Sequence, residues 1–236
     1  QGSDPKAELI LDLVDAHSNE GELFERAVAA WANATAAPPQ PKLMGIVNVT
    51  PDSFSDGGRY HSSTGSRAAV DHALRLVEEG CDLLDVGGES TRPGAAQVDA
   101  QEELQRVIPV ITALSSESSC PISVDTQKAE VAAAAIDAGA SMVNDVSAGL
   151  ADEEMLPLVA QRGVKICLMH MRGTPRDMQE GPFYRDVVRE VLDHLRAQAH
   201  ACLKAGIEGH KILIDPGIGF GKTLEHNLAL MQNLGN

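Results

Sequence analysis

Residues 48–58 form the first of three sets of polar residues whose types and spacing could support chemistry. They follow an apolar run, residues 43–47, that is typical of a buried strand. Proline 51 then ends the strand, because its ring fixes φ and removes an N–H donor. The side chains of Ser53 and of neighbouring aspartates could bind water or an ion, whereas the apolar Phe54 must pack against something, such as a ligand. A polar connection that only caps a strand is the competing interpretation.

The second stretch, residues 87–94, begins with two glycines directly after another apolar run. Its backbone N–H groups and the hydroxyl groups of Ser90 and Thr91 can donate hydrogen bonds, and Arg92 adds charge-assisted donors. Pro93 and Gly94 then turn the chain. This composition predicts an anion-binding loop, although a flexible turn with a salt-bridged arginine would have the same sequence.

The third set, Asp125, Asn144 and Asp215, is spread over ninety residues, and each member follows an apolar run. A carboxylate can accept two parallel N–H bonds from an amidine-like edge of a flat heterocycle, and an amide can donate and accept beside it. Met169 and Phe220 could cover the faces of such a ring. Helix capping and loop bracing are the competing interpretation, especially for Asp125, which stands just before a predicted helix.

Two further motifs are weaker. Residues 221–223 read Gly-Lys-Thr, as at the end of a phosphate-binding P-loop, but the first glycine of that motif would fall at Pro216, so we reject a P-loop. The glycines there would instead let the backbone approach a ligand closely. His170 has no histidine or cysteine at a metal-ligand spacing and is predicted to be a structural, hydrogen-bonded histidine.

The rest of the chain alternates between short apolar runs and helical patterns with a period near 3.6 residues. Such alternation predicts a parallel sheet covered by helices. The predicted strands are residues 43–47, 83–86, 122–124, 142–143, 164–169 and 212–214. The predicted helices are residues 67–79, 102–114, 128–138, 153–162, 186–205 and 224–234.

The position of the polar residues chooses between two parallel architectures. They stand at or just after the end of every predicted strand, as in a (β/α)8 TIM barrel, where all strand ends converge on one site. An open doubly wound sheet would use mainly its switch point. We therefore predict an α/β fold of the TIM-barrel type. Only six strand–helix units occur, so we expect an additional segment or another component to close the barrel.

Composition limits the function classes. Of the 236 residues, 19 are Lys or Arg and 34 are Asp or Glu, and the resulting net charge of −15 argues against nucleic acid and anionic membranes as partners. No apolar run reaches the length of a membrane span. The N-terminus lacks a basic region followed by an apolar core, so we expect no secretory signal in this sequence. The four cysteines show no CxxC spacing, which is typical of reduced thiols and predicts a cytoplasmic protein.

Two regions are expected. Residues 1–41 contain two helical patterns followed by a Pro/Ala-rich linker, and they are predicted to be a helical N-terminal extension. Residues 42–236 hold all of the strand–helix units and are predicted to be the barrel domain.

Six ordered motifs carry a resemblance to a known family. The sequences MGIVNVTPDSFSDGG, DVGGESTRPG, VDT, ND, CLMHM and DPG with GFGK resemble the motifs of the dihydropteroate synthase family. They occur at residues 44–58, 85–94, 124–126, 144–145, 167–171 and 215–222, and the resemblance runs from about Met44 to the end of the chain.

The resemblance implies a pterin-binding barrel that joins p-aminobenzoate to 6-hydroxymethyl-7,8-dihydropterin pyrophosphate, giving 7,8-dihydropteroate and pyrophosphate for folate synthesis. It implies catalytic roles for Asn48, Thr91, Arg92, Asp125 and Asp215. The implied pterin contacts are Asp125, Asn144, Val146, Met169, Asp215 and Phe220. The implied pyrophosphate and p-aminobenzoate contacts are Ser53, Phe54, Thr91, Arg92 and Pro93.

The same resemblance implies Mg2+, bound at Asn48, as the cofactor, sulfonamides as inhibitors, and a homodimer. The family also has a Ser-Arg-Lys segment after its seventh strand and an Arg-x-His segment after its eighth, and neither occurs here. The sequence is therefore expected to contain most of the residues that contact the pterin but to lack those cationic side chains. Two alternatives stay open: a methyltetrahydrofolate-type pterin-binding methyltransferase domain, which would not need the Ser90–Pro93 loop, and a pterin-binding module without catalysis.

Overall fold

The computed structural model describes residues 41–50, 63–90, 98–173, 178 and 181–234. Strands and helices alternate throughout these ranges, as the sequence predicts. The strands are β1 (Met44–Asn48), β2 (Leu83–Gly87), β3 (Ile122–Asp125), β4 (Met142–Asp145), β5 (Lys165–Met169) and β6 (Ile212–Asp215). The helices are α1 (Ser63–Glu78), α2 (Ala100–Glu117), α3 (Ala129–Ala138), α4 (Met155–Arg162), α5 (Val187–Lys204) and α6 (Leu224–Gln232), with a short 3-10 turn at Gly209–Lys211.

The six strands form one sheet in which every neighbouring pair is parallel and the spatial order equals the chain order, β1 to β6. A doubly wound sheet reverses direction at a switch point, and no reversal occurs among these strands. The order is that of consecutive units of a (β/α)8 barrel, so the predicted fold class is confirmed.

The two faces of the sheet differ in chemistry. One face carries residues such as Val47, Val86 and Val124, which are inaccessible to solvent and pack against the helices in the main apolar core. Small helix residues, among them Ala69 and Ala132, let the helices lie close to the strands. The register places Asp85 beside Ser123 on the opposite face, which becomes the interior of a barrel.

The strand ends differ from the predicted bounds in one consistent way. Asp125 and Asp215 are the last residues of β3 and β6, and Asn144 is the second-to-last residue of β4. All three therefore belong to their strands, whereas the predicted strands end just before them. Ladder hydrogen bonds continue through these residues, since parallel pairing depends on the backbone and not on the side chain. The pairing fixes the direction in which each polar side chain leaves the sheet.

The helix ends follow local backbone chemistry. Gly139 and Gly163 adopt positive φ as the C-caps of α3 and α4, a conformation that glycine adopts at little cost. None of the helices in the described ranges is long and apolar enough to cross a membrane. Residues 1–40 lie outside the described part of the chain, so the N-terminal extension stays a prediction.

Candidate active site

The carboxyl ends of the strands bring the predicted polar residues to one edge of the sheet. Residue pairing links Asn48 to Gly87, Gly87 to Asp125 and Asp125 to Asn144 across β1 to β4. On the far side, Met169 of β5 pairs with Asp215 of β6. Residues separated by up to 167 positions in the chain therefore share one rim, as the barrel hypothesis predicts.

Asp125 does not serve as a helix cap. The N-cap of α3 is Lys128, without a side-chain cap bond, and the Lys128 N–H group donates instead to Thr126 Oγ1 at 3.2 Å. A Cβ atom added at Gly87 would lie 3.3 Å from both Cβ and Oδ2 of Asp125. The carboxylate thus lies close over the end of β2, and the capping interpretation for Asp125 is wrong.

Asn144 makes a contact that sequence reasoning missed. Its Nδ2 donates to Oδ2 of Asp85 at 2.9 Å, across the intervening strand β3. Asp85 is 3% exposed and stands on the interior face of β2, two residues before the strand ends. Asp85 is thus a buried partner of a predicted pterin contact. In the sequence it stands near the end of an apolar strand and begins the DVGGESTRPG motif, but neither signal indicates this contact.

Asp215 is held by the turn that follows β6. Its Oδ1 accepts a hydrogen bond from Gly217 N at 2.7 Å. Gly217 has a φ of +65° and lies against the end of β5, where a Cβ would come within 2.0 Å of the His170 carbonyl oxygen. Only glycine fits both the φ and this approach. The aspartate is therefore fixed through one of its oxygens and half-buried at the rim.

Lys222 stabilises the same turn through hydrogen bonds to backbone carbonyl groups, which is not the role of a P-loop lysine. Its buried Nζ donates to the carbonyl oxygens of His170 (3.1 Å) and Phe220 (2.9 Å) and lies 3.0 Å from His170 Nδ1. Burial lowers the pKa of Lys222 to about 8. Burial, with the nearby Lys222 charge, lowers the pKa of His170 to about 4. His170 is therefore a neutral, hydrogen-bonded structural histidine near neutral pH, as predicted.

The interior of the strand edge is strongly acidic. Burial, reinforced by the charge of Asp85, raises the pKa of Asp125 well above its ordinary value, and burial also raises the pKa of Asp85. Burial and the charges of Asp215, Asp85 and Asp125 raise the pKa of the Cys167 thiol to about 12. A pocket of this kind favours a ligand that offers several N–H donors and disfavours one with a free anionic face.

Apolar residues flank these carboxylates. Met169 is 3% exposed at the end of β5, and Val146 is buried just after β4. Phe220 is half-buried in the turn that Lys222 braces. Polar groups at a rim between apolar side chains are the usual composition of a site for a flat ring.

A buried ion cluster anchors the segment after β2. Lys128 Nζ donates to Glu89 Oε2 at 2.5 Å and to Glu103 Oε2 at 2.6 Å, and Glu103 is inaccessible to solvent. Glu89 Oε1 also accepts from the Val98 N–H group at 3.4 Å. Glu89 therefore links the segment that follows β2 to Val98, which precedes α2. Sequence reasoning did not find this cluster.

Five predicted site residues lie outside the described part of the chain: Ser53, Phe54, Thr91, Arg92 and Pro93. Their assigned roles in binding pyrophosphate and p-aminobenzoate stay predictions.

Asn48, the predicted ligand of Mg2+, offers only one side-chain oxygen donor to a metal ion. No cluster of three or more His, Cys, Asp or Glu side chains that could hold a metal occurs among the described residues. Asn48 offers a single amide oxygen at the half-buried end of β1. Mg2+ commonly binds through one or two protein oxygens, waters and substrate phosphates, so one such ligand fits Mg2+ when a phosphorylated substrate supplies the others.

Comparison with known proteins identifies the family. Residues 44–236 match the family described as pterin binding enzyme. The chain therefore belongs to the pterin binding enzymes.

The similar proteins within that family include dihydropteroate synthases. The enzyme of Escherichia coli K12 is 49% identical over 194 residues, which cover 82% of this chain and 67% of the relative. The Xanthomonas albilineans enzyme, solved with 4-aminobenzoic acid, has 53% identity and a TM-score of 0.76, over 83% of this chain and 68% of that one. The Yersinia pestis enzyme, solved in a sulfonamide drug complex, has 45% identity and a TM-score of 0.76, over 83% and 70%. The chain thus spans about two thirds of each relative.

Proposed function

We propose that the protein carrying this chain is a dihydropteroate synthase, a transferase that joins p-aminobenzoate to 6-hydroxymethyl-7,8-dihydropterin pyrophosphate. The observation that carries the proposal is the set Asp125, Asn144 and Asp215 at one strand edge, in a chain about half identical to dihydropteroate synthases. An acidic edge of this kind suits the amidine-like side of a pterin, which presents N–H donors to carboxylate and amide oxygens.

The reaction displaces pyrophosphate from the methylene carbon next to the pterin ring. The aryl amine attacks that carbon, the C–O bond breaks, and the amine loses a proton. An aniline nitrogen is nucleophilic as a neutral amine, so the reaction does not require a serine or cysteine nucleophile with a paired base. Departure of the leaving group is the difficult step, and fixed charges that favour it lower the barrier.

The residues of this chain would divide that task. Asp125 and Asp215 hold the ring and stabilise the positive charge that develops on it as the C–O bond breaks. Thr91 and Arg92 would donate to the pyrophosphate oxygens. Asn48 would hold Mg2+, which as a bound cation stabilises negative charge on the departing pyrophosphate.

Other parts of the proposal concern the whole protein. A homodimer and a cytoplasmic location are proposed with the synthase. All four cysteines are free thiols in the structure, which is compatible with a reducing compartment. Sulfonamides are proposed as inhibitors, because they resemble p-aminobenzoate and a related enzyme has been solved in a sulfonamide drug complex.

Turnover separates this proposal from its two alternatives. The protein is incubated with dihydropterin pyrophosphate and Mg2+, and released pyrophosphate is measured with and without p-aminobenzoate. The synthase requires release that depends on p-aminobenzoate and is inhibited by a sulfonamide. Pterin binding without such release would favour the non-catalytic module, and methyl transfer from methyltetrahydrofolate would favour the methyltransferase.

A further inference from the structure

We propose that Asp85 is a positioning residue that fixes the side-chain amide of Asn144 with its carbonyl oxygen toward the pterin. Asp85 itself does not touch the ligand in this proposal. The inference rests on the proposed function, since it assigns a specificity role to a residue behind the pterin edge.

The geometry begins with burial. Asp85 is 3% exposed on the interior face of β2, between the apolar residues Leu84 and Val86 of the same strand. Its Oδ2 accepts from Asn144 Nδ2 at 2.9 Å, whereas its Oδ1 has no hydrogen-bond partner among the described residues. The register places the buried Ser123 hydroxyl beside Asp85, where it favours the ionised carboxylate. The amide of Asn144 makes the well-formed hydrogen bond to this carboxylate.

The orientation of the amide follows from what a carboxylate can accept. An ionised carboxylate has only acceptor oxygens, so it selects the NH2 group of a facing amide and repels its carbonyl oxygen. In a buried setting that difference is large, because water cannot replace the lost hydrogen bond. The Asn144 oxygen then remains for the ligand, beside the carboxylate of Asp125 on the next strand.

This orientation predicts a specific discrimination. A pterin carries a 2-amino group, which donates hydrogen bonds, whereas the corresponding lumazine carries an oxygen at the same position. A fixed carbonyl oxygen at Asn144 favours the amino group and opposes the oxygen. If the amide could rotate, its NH2 group could instead face the lumazine oxygen. Asp85 would therefore raise the selectivity of the site more than its affinity for pterin.

The acid–base behaviour of the pair is compatible with this role. Burial raises the pKa of Asp85, while the Ser123 hydroxyl and, after it, the hydrogen bond from Asn144 act in the opposite direction and favour the ionised form. The same bond that orients the amide therefore helps to keep its acceptor charged.

The test compares the affinities of 6-hydroxymethylpterin and 6-hydroxymethyllumazine by calorimetry. In Asp85→Asn, the side chain at position 85 can donate or accept, so Asn144 can adopt either orientation. We expect pterin affinity to stay within about threefold, while the preference for pterin over lumazine falls about tenfold or more through tighter lumazine binding, as expected for a site freed from an unpaired polar group. Asp193→Ala, which changes an exposed aspartate on α5, should leave the preference unchanged.

A charge swap provides the second variant. Asp85→Asn combined with Asn144→Asp keeps one carboxylate and one amide in the pair and places a permanent acceptor at position 144. Restored preference for pterin supports the proposal, and it can be measured even where Asp85→Asn alone does not fold. A swap variant that loses pterin binding would overturn the proposal, because Asn144 would then have to donate.

Two other outcomes separate a failure of this inference from a failure of the proposed function. If Asp85→Asn weakens both ligands equally, Asp85 serves only packing and the inference is wrong, although the proposed function stands. If the unmodified protein binds neither ligand, the proposed function fails and takes this inference with it.

Discussion

Lys128 has a larger structural role than its position in a helix-flanking turn suggests. It bridges Glu89, which follows β2, and Glu103, which is fully buried in α2. Burial acts to lower the pKa of Lys128, but its two carboxylate partners together raise it above the ordinary value. The lysine is therefore charged at physiological pH and compensates a carboxylate that water cannot reach.

Replacing Lys128 by methionine leaves Glu103 buried without its cation. We expect a loss of about 3–5 kcal/mol in the free energy of unfolding, the usual cost of breaking a buried ion pair by removing one partner. Chemical denaturation of the purified variant measures this loss. Arg162→Met is the control, since Arg162 pairs with a well-exposed Asp137 and should cost no more than about 1 kcal/mol. Equal losses in the two variants would contradict the role of Lys128.

At the scale of secondary-structure elements, the turn after β6 locks two neighbouring strand ends together. His170 N donates to the Asp215 carbonyl oxygen at 2.9 Å, and Gly217 packs against the His170 carbonyl. Lys222 donates to the same carbonyl, and Tyr184 Oη donates to the Gly221 carbonyl at 2.9 Å. The carboxylate of Asp215 is thus positioned by backbone contacts between β5 and β6.

Gly217→Ala should disrupt this junction. The added Cβ would lie 2.0 Å from a backbone oxygen, which cannot move without shifting β5. Gly181→Ala is a matched control, because Gly181 has nearly the same φ, +67° against +65°, and no atom of the described residues lies within 4 Å of its added Cβ. We expect about 1–2 kcal/mol of destabilisation in the control, from the left-handed conformation alone, and clearly more at Gly217, with weaker pterin binding. Similar unfolding midpoints for the two variants would contradict this prediction, because the turn would then accept a Cβ at position 217 without a large loss of stability.

At the scale of the whole molecule, acid stability depends on histidines that the fold keeps neutral. Burial lowers the pKa of His170 to about 4, and burial also lowers that of His194, whose ring lies edge-on to His170 at 4.9 Å. The unfolded chain binds protons at these histidines below about pH 6.5, before the folded chain does. Stability at these groups is therefore present above pH 6.5 and falls as the pH drops toward 4.

The variant His170→Gln isolates this effect. The loss of stability between pH 6.5 and 4 should be smaller in the variant by a few kcal/mol at most, as the lowering of the His170 pKa from about 6.5 to about 4 implies. The buried carboxylates with raised pKa, Asp85, Asp125 and Asp145, act in the opposite direction, because the folded state takes up their protons first. Thermal unfolding across this pH range measures the difference, with the exposed His210→Gln as control. Parallel curves for wild type and His170→Gln would contradict the assignment.

The sequence predicts those features that are written locally. Each strand appears as an apolar run, each helix as a 3.6-residue pattern, and the polar residues that close the strands indicate the barrel and its rim. Asn144 and Asp215 could be placed at one edge because parallel strands align their ends. These predictions need only the order of residues along the chain.

The parts that sequence reasoning missed depend on contacts between distant positions. Asn144 and Asp85 are 59 residues apart and meet across β3, and Lys128 reaches Glu89 over 39 residues. No local period marks such pairs. The sequence places Lys222 in a rejected P-loop and in the GFGK motif. It does not predict the bracing contacts, because the partners are backbone carbonyls whose positions depend on the turn. Side-chain pairing inside a barrel follows from register, which the sequence alone leaves open.

The central claim is that the strand edge built from Asp125, Asn144 and Asp215 binds a pterin ring. The most direct measurement is a calorimetric titration of 6-hydroxymethylpterin into the protein and into Asp215→Ala, with Asp193→Ala, an exposed aspartate on α5, as control. Both the unmodified protein and the control should bind pterin, and Asp215→Ala should show no measurable binding while remaining folded. Unchanged affinity in Asp215→Ala would contradict the account, because the ring would then lie elsewhere.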